Sequence, residues 1–285
     1  GCVFVTPGVP REMQAMYERD IEPAIKSHVG TARTILTAKV NTFGSGESDV
    51  AERLGPLMAR DRNPVVGTTV SNGYVCVRVR SESDDPAKAR AMLDATIKQV
   101  NAHVAPLAFG VDEDTLQQAV VQLLIEKGAT VATAESCTGG LIAAMLTDVP
   151  GSSAAVLGGW VAYANAIKTA QLGVPNPLID QLGAVSRQVV EAMARGAIER
   201  SGADTALSTS GVAGPGGGTD AKPVGTVWIG LAWRDGSTVR CETRLANLAG
   251  DRETIRDRSA KCALQLLRLH LIGEDLDLLR WAQRG

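Results

Sequence analysis

Predicted helices and strands alternate along residues 111–273, and this alternation constrains the fold more than any other feature of the sequence. Such alternation is typical of a layered α/β domain, in which helices cover a central sheet. The predicted helices are 112–127, 141–146, 165–172, 186–200 and 252–271, and the predicted strands are 130–134, 156–163, 205–210, 224–233 and 238–245. We therefore expect a layered α/β/α domain over 111–273.

Residues 31–110 predict a small α+β domain that precedes the layered one. Its predicted elements are a strand over 34–40, a helix over 45–57, a hairpin over 65–81 and a helix that starts at 84–86. The hairpin turns at Asn72-Gly73, because this dipeptide accepts positive φ at both turn positions. Arg78 and Arg80 share one face, but the segment has neither a GxxG clamp nor an aromatic platform for bases. We therefore expect solvated arginines and no nucleic acid partner.

The two ends of the chain lie outside these two predicted domains. Val3-Phe4-Val5 predicts a strand, and a helix follows from about Arg11. One strand and one helix cannot bury a core, so we expect residues 1–30 to be the end of a larger domain whose front is absent from this chain. Residues 274–285 predict a short amphipathic tail.

Composition excludes several classes of protein. The chain has 29 Lys and Arg against 31 Asp and Glu, so it has no excess of cations for a broad nucleic-acid-binding surface. No apolar run approaches the roughly 18–20 residues of a membrane span. Five widely spaced cysteines and three scattered histidines predict neither a disulfide framework nor a metal site. We therefore expect a cytoplasmic protein with no bound metal or cofactor and no membrane partner.

The segment Glu135-Ser136-Cys137-Thr138-Gly139-Gly140 lies between a predicted strand and a predicted helix. A hydroxyl or thiol at this place stands at the positive end of the helix, so Ser136 and Cys137 are both candidate nucleophiles. N–H groups around Gly139 and Gly140 are candidate donors to an oxyanion or a phosphate. A simple helix cap is the alternative interpretation of the motif.

Lys168 is a candidate general base. Asn165 is predicted to cap the helix 165–172, so that Lys168 occupies the third helical position. A cation near the positive end of a helix is disfavoured, and burial disfavours it further, so we expect a lowered pKa for Lys168. A lysine that is neutral can accept a proton, whereas the alternative is a solvated surface lysine.

Two further segments could bind an anionic ligand. The glycine-rich loop 208–219 follows a predicted strand and offers N–H groups and hydroxyls, with a flexible linker as the alternative. Asp251 is predicted to cap a helix that presents Arg252 and Arg256, which suit a phosphate or carboxylate, with a surface salt-bridge set as the alternative. Together the four motifs favour hydrolysis of a small phosphorylated substrate by a Ser–Lys pair, since no histidine lies near them in sequence.

These motifs resemble those of a known family. TAESCTGG, VAYANAIK, GVAGPGGGT, KPVGTV and GDRETIR are similar, in the same order, to the C-terminal domain of the CinA family, the nicotinamide mononucleotide amidases. TPGVPREM resembles the end of the family's molybdopterin-binding-like domain, and residues 31–110 resemble its small KH-like segment. The resemblance implies four units: 1–30, 31–110, 111–273 and the tail 274–285.

The resemblance also implies an activity and a set of residues. The activity is deamidation of nicotinamide mononucleotide to nicotinic acid mononucleotide, with Ser136 attacking the carboxamide, Lys168 taking its proton and Tyr163 relaying that proton or holding the amine. The implied substrate-binding residues are Thr138, Gly139, Gly140, Asn165, Thr209, Gly211, Gly214 and Arg252. Ala- and Gly-rich helices suit close packing of subunits, and we expect a homodimer.

Two other functions stay open at this stage. One is a nucleotide-binding module without catalysis, which would serve as a regulatory or assembly domain. The other is the ADP-ribose pyrophosphatase activity attributed to the family's first domain, in a longer natural chain. We expect this second activity to be absent from the present chain, because most of the first domain is absent.

Overall fold

The computed structural model describes residues 2–29 and 33–284, and two sheets organise them. A four-stranded sheet belongs to the small domain and a six-stranded sheet to the layered domain. Among the described residues, no helix is both long enough and apolar enough to cross a membrane.

The amino-terminal segment is helical. Helix α1 spans Pro10–Met16 and, after a π-helical turn over Tyr17–Ile21, continues into α2 over Glu22–Val29. The helix predicted from Arg11 is thus confirmed, and it begins at a proline, which suits the first helical position. The strand predicted at Val3–Val5 is wrong: these residues are exposed and pair with no described strand. An isolated apolar run cannot satisfy its backbone groups as a strand without a neighbour.

The small domain is an antiparallel sheet covered by two helices. Its elements are β1 Thr34–Thr42, α3 Glu47–Leu54, β2 Val65–Ser71, β3 Tyr74–Ser83, α4 Pro86–Val104 and β4 Ala108–Val111. The strands lie in the order β2-β3-β1-β4. The predicted hairpin is confirmed, with φ of 49° at Asn72 and 79° at Gly73. Exposed Arg78 and Arg80 alternate with buried valines along β3, as the pattern predicts.

The layered domain follows the predicted alternation. Its elements are α5 Leu116–Lys127, β5 Val131–Glu135, α6 Leu141–Thr147, β6 Val156–Val161, α7 Asn165–Leu172, α8 Asn176–Leu182, α9 Arg187–Ser201, β7 Thr205–Gly211, β8 Thr226–Asp235, β9 Thr238–Asn247 and α10 Arg252–Leu271. With β10 (Ala282–Gln283), the strands lie in the order β10-β9-β8-β7-β5-β6. Strand β5 runs parallel to β6 and β7, whereas β8 and β9 are antiparallel.

Two separate cores lie on the two faces of this sheet. One packs α5, α6 and α10 against residues such as Val131 and Leu207, and the other packs α7, α8 and α9 against Ala132 and Ala206. Successive strand residues therefore point into different cores, as the two-residue period of a strand requires. The layered α/β/α architecture is confirmed.

Among the differences from the prediction, three have an identifiable physical reason. Helix α5 begins at Leu116 rather than 112, because Thr115 and Gln118 form a capping box and Asp112 has a left-handed φ of 54°. Helix α8 is not among the predicted elements, because Pro175 is interpreted only as a helix stop. In the structure Pro175 is the N-cap of α8, and Pro177 lies in the first turn, which suits proline. The tail over 274–285 is more than an appendage, because Leu279 is buried in the main core and β10 pairs with β9.

Helix α10 joins the two domains. Lys261, Gln265 and Arg268 on this helix donate hydrogen bonds to backbone carbonyls of the small domain, at Asn72, Phe43 and Pro106 respectively. The first turns of the same helix reach the candidate site described next, so α10 spans from that site to the small domain.

Candidate active site

The candidate nucleophile lies in a tight turn at the carboxyl end of β5. The turn comprises residues 136–140 and is called the nucleophile turn. The N–H of Ser136 donates to the Thr209 carbonyl oxygen at 3.0 Å, which ties the turn to the end of β7. Gly139 and Gly140 have φ of +62° and +92°, values that glycine accepts without strain. The turn thus presents Ser136 at the strand ends where open α/β sheets bind ligands.

The structure brings Lys168 and Ser136 together. Lys168 Nζ lies 3.1 Å from Ser136 Oγ and 2.9 Å from each of the carbonyl oxygens of Ala162 and Tyr163. The side chain is only 1% exposed, and burial lowers the pKa of Lys168. A neutral amine has two hydrogens and one lone pair. With both hydrogens on the two carbonyls, the lone pair faces the hydroxyl of Ser136.

The predicted cap of α7 is wrong. The residue at the N-cap position is Ala164, and Asn165 is the first helical residue, exposed and with no capping bond. Lys168 therefore occupies the fourth helical position rather than the third. The carbonyl groups of Ala162 and Tyr163, which precede the helix, determine the environment of the Lys168 amine more than a helix cap does.

Cys137 is buried and held away from solvent. Its side chain is 6% exposed and belongs to the hydrophobic core. Burial raises the pKa of Cys137 to about 12, so the thiol stays protonated near neutral pH. Arg256 donates to the carbonyl oxygens of Cys137 and Thr138, at 3.2 and 2.7 Å. Of the two nucleophiles that the sequence left open, the geometry favours Ser136.

The N–H groups of Gly139 and Gly140 are not free donors, contrary to prediction. The N–H of Gly139 donates to the Ser136 carbonyl oxygen at 3.1 Å, and that of Gly140 to Glu135 Oε2 at 3.0 Å. Glu135 is fully buried and also accepts from the N–H groups of Ile142 and Ala143. The sequence motifs assign Glu135 no role, although an acid five residues before a glycine N-cap is a usable signal, because the helix N-terminus favours a negative charge.

The hydroxyls of Thr138 and Thr209 bind each other. Their Oγ1 atoms are 2.7 Å apart and both residues are fully buried, so they lock the nucleophile turn to β7 rather than lining an open surface. Gly211 likewise has a packing role, since a Cβ at this position would lie 2.6 Å from Val227 Cγ2. The structure therefore places these three predicted substrate-binding residues behind the site.

Arg252 links the glycine-rich loop to Tyr163. Its guanidinium donates to the Gly214 carbonyl oxygen at 2.8 Å and to the Tyr163 hydroxyl at 3.1 Å. Asp251 caps α10 by accepting from the N–H of Thr254, as predicted. The phenol of Tyr163 is 58% exposed and, in the described part of the chain, bonds to neither Ser136 nor Lys168. The Tyr163 phenol is therefore not placed to relay a proton in this arrangement, whereas the Tyr163 carbonyl oxygen holds the Lys168 amine, which is the alternative role that the resemblance implies.

No metal centre accompanies the pair within residues 2–29 and 33–284, where no three His, Cys, Asp or Glu side chains cluster to hold an ion. The groups at the site are thus an alcohol, a buried amine and two arginines.

Comparisons with known proteins cover most of the chain. Residues 113–271 match the model of the CinA C-terminal domain, and residues 37–110 match that of the damage-inducible protein CinA KH domain. A putative competence-damage inducible protein of Symbiobacterium thermophilum is 41% identical over 277 residues, covering 95% of this chain and 65% of that protein. A CinA-like protein of Synechococcus is 41% identical over 272 residues, covering 95% and 64%. The chain thus spans about 65% of the length of these curated relatives.

Solved structures resemble the layered domain. The competence/damage inducible protein CihA of Agrobacterium tumefaciens is 40% identical with a TM-score of 0.51, covering 56% of this chain and 97% of that one. A competence-damaged protein (CinA) superfamily protein of Klebsiella pneumoniae is 34% identical with a TM-score of 0.53, covering 55% and 96%.

Proposed function

We propose that this chain, which belongs to the CinA family, hydrolyses the carboxamide of nicotinamide mononucleotide to nicotinic acid mononucleotide and ammonia. One observation carries the proposal: the buried amine of Lys168 lies 3.1 Å from the hydroxyl of Ser136. An alcohol beside an amine whose pKa is lowered by burial is a nucleophile with a base in place. The identity of the substrate rests on the resemblance of the surrounding motifs to the family's amidase domain.

The first half of the reaction forms an acyl-enzyme. Ser136 Oγ attacks the carboxamide carbon while Lys168 Nζ accepts the hydroxyl proton, which yields a tetrahedral oxyanion and an ammonium. The Lys168 ammonium then gives its proton to the leaving nitrogen, the C–N bond breaks and ammonia departs. The ester of Ser136 with nicotinic acid mononucleotide remains.

The second half of the reaction repeats these steps with water. Lys168 Nζ accepts a proton from the attacking water, and the new tetrahedral intermediate expels Ser136 Oγ, which regains the proton. The Ala162 and Tyr163 carbonyls can accept hydrogen bonds from the amine in both of its charge states. The base therefore keeps its place through both halves.

The oxyanion needs a donor other than Gly139 or Gly140. The N–H of Cys137 has no oxygen partner among the described residues, and it belongs to the residue after the nucleophile. In α/β-hydrolases, the N–H of the residue after the nucleophile stabilises the oxyanion. We assign that role to the Cys137 N–H. The Cys137 side chain is buried in the core and does not block this N–H.

The phosphate of the substrate needs a cation at the open side of the site. Arg252 is exposed and is held between Tyr163 and the glycine-rich loop. Its guanidinium can bind a phosphate through two N–H groups. We therefore place the phosphate at Arg252, near exposed Asn165, and the carboxamide at Ser136.

The test is ammonia release from nicotinamide mononucleotide. We expect Ser136→Ala to abolish release and Cys137→Ala to retain it, because only the serine contacts the base. The reverse result contradicts the choice of nucleophile. Calorimetric binding without turnover, even at high enzyme concentration, would instead select a non-catalytic nucleotide-binding module.

We also propose that a second copy of the chain covers β6. This strand is the edge of the sheet, with Leu157 50% and Val161 54% exposed. Residues 149–167 contain no charged side chain, whereas natural edge strands are usually protected by charges. A neutral strand can pair with its own copy about a two-fold axis without like-charge repulsion. The resulting interface would adjoin Tyr163 at the open side of the site.

Light scattering after gel filtration tests this interface. We expect a dimer for the parent chain and a monomer for Leu157→Arg. Ile125→Arg, at an exposed position of α5, is the matched control. A monomeric parent, or a dimer that survives Leu157→Arg, contradicts the proposed surface.

The five free cysteines fit the reducing cytoplasmic compartment that we propose for the protein.

A further inference from the structure

The nucleophile turn closes around a buried carboxylate that the proposed chemistry does not use. Glu135 is the last residue of β5 and is fully buried. Its Oε2 accepts from the N–H groups of Gly140 and Ile142 at 3.0 and 3.1 Å, and its Oε1 from that of Ala143 at 2.9 Å. These N–H groups belong to the N-cap and first turn of α6, whose N-cap glycine has no side chain. The protein thus supplies its own anion at this helix end.

The carboxylate and the nucleophile are consecutive residues. Glu135 points inward to the start of α6, while Ser136 reaches Lys168 at 3.1 Å. The backbone must therefore reverse between Ser136 and Gly140, so that the N–H groups of Gly140, Ile142 and Ala143 face the Glu135 carboxylate. We expect loss of those bonds to displace Ser136 Oγ relative to its base, and a displacement of about 1 Å can cost about 100-fold in rate.

The same carboxylate acts on the neighbouring thiol. A helix N-terminus ordinarily stabilises a thiolate, and Cys137 precedes the N-cap of α6 by three residues. That end is already occupied by Glu135. Burial first, and the negative charge of Glu135 in addition, raise the pKa of Cys137 to about 12. The thiol that stands next to the serine is therefore kept in its unreactive form.

We propose that Glu135 is a positioning residue, which sets the turn that presents Ser136 and keeps the side chain of Cys137 buried. The first half of this proposal rests on the amidase function proposed above. The second half concerns the thiol alone and can be tested without any turnover.

Glu135→Gln tests both halves, because it removes the charge and puts an amide donor against backbone N–H groups. We expect kcat for ammonia release to fall about 10- to 100-fold with KM changed by less than about threefold, since positioning rather than binding is lost. We expect alkylation of Cys137 by iodoacetamide at pH 8, followed by mass spectrometry of its peptide, to become faster, because a turn that has lost these bonds no longer keeps the thiol buried. Exposed Glu126→Gln on α5 is the matched control.

Glu135→Asp tests the reach of the side chain while the charge is retained. The shorter side chain keeps the negative charge but cannot reach all three N–H groups. We expect kcat to fall and alkylation of Cys137 to become faster than in the parent. Parent values of both quantities would contradict the role of the three hydrogen bonds.

Cys262 is an internal reference for general loosening, because it is buried in α10. Equal acceleration of Cys262 and Cys137 in Glu135→Gln would show loss of packing and overturn the proposal. Unchanged kcat together with unchanged Cys137 alkylation would overturn it as well. Absence of ammonia release from the parent contradicts the amidase function alone, and alkylation then decides the role of Glu135.

Discussion

Replacing Lys168 by methionine removes the proposed base while keeping a straight side chain of similar length. The amine contacts Ser136 Oγ and the carbonyls of Ala162 and Tyr163. Loss of a general base typically lowers the rate about 10²- to 10⁴-fold. At about 1.36 kcal/mol per factor of ten, this is about 2.7–5.4 kcal/mol of transition-state stabilisation.

The fold should survive this change. Ala162 is buried, so its carbonyl loses a partner at a cost of about 1–3 kcal/mol, whereas exposed Tyr163 can be solvated. Removal of a buried amine offsets part of that cost, because burial penalises its charged form. We therefore expect a variant that is folded but nearly inactive.

The assay is ammonia release from nicotinamide mononucleotide between about pH 6 and pH 10. Since the free amine is the active form, kcat/KM of the parent should rise with pH through the lowered pKa of Lys168 and then level off. This rise should be absent from the residual activity of Lys168→Met. Small primary amines should restore part of the activity of Lys168→Ala in proportion to their free-base fraction.

Lys98→Met, at an exposed position of α4, is the matched control. The reasoning is refuted if Lys168→Met keeps kcat within about threefold of the parent, which is far less than loss of a general base produces. An unchanged pH profile in the variant would refute it equally, because the titrating group would then be another residue.

Three further outcomes follow from the same contacts. Burial lowers the pKa of Lys168, so the unfolded state binds more protons than the folded state between the two pKa values. The free energy of unfolding of the parent should therefore rise with pH across that window. Urea unfolding of Lys168→Met should show no such rise. Arg252→Gln should raise KM for the mononucleotide about 10- to 100-fold with little effect on kcat. An equal rise in KM for the nucleoside that lacks the phosphate would contradict the assignment of the phosphate to Arg252. Gly211→Ala should lower the free energy of unfolding by about 1–3 kcal/mol, because its Cβ would lie 2.6 Å from Val227 Cγ2, whereas Gly8→Ala has nothing within 4 Å and should have little effect.

Sequence patterns determined the elements whose signals are local. Helix α10 spans Arg252–Leu271 as predicted, because Asp251 caps it and apolar residues repeat along it. The Asn72-Gly73 hairpin is also as predicted, since the dipeptide itself sets both turn conformations. The strand predicted at Val3–Val5 failed, because a strand requires a partner that its own residues do not encode.

The candidate site divides in the same way. Ser136 and Lys168 are apparent from the sequence, because a strand–turn–helix and a helix start are local signals. Their approach to 3.1 Å, the burial of Cys137 and the occupation of the Gly140 N–H by Glu135 depend on how the segments pack. Which donors stay free, and which amine is desolvated, are properties of side chains that meet across the fold. Tertiary structure alone decided them, because burial and hydrogen bonding are shared between segments distant in the chain.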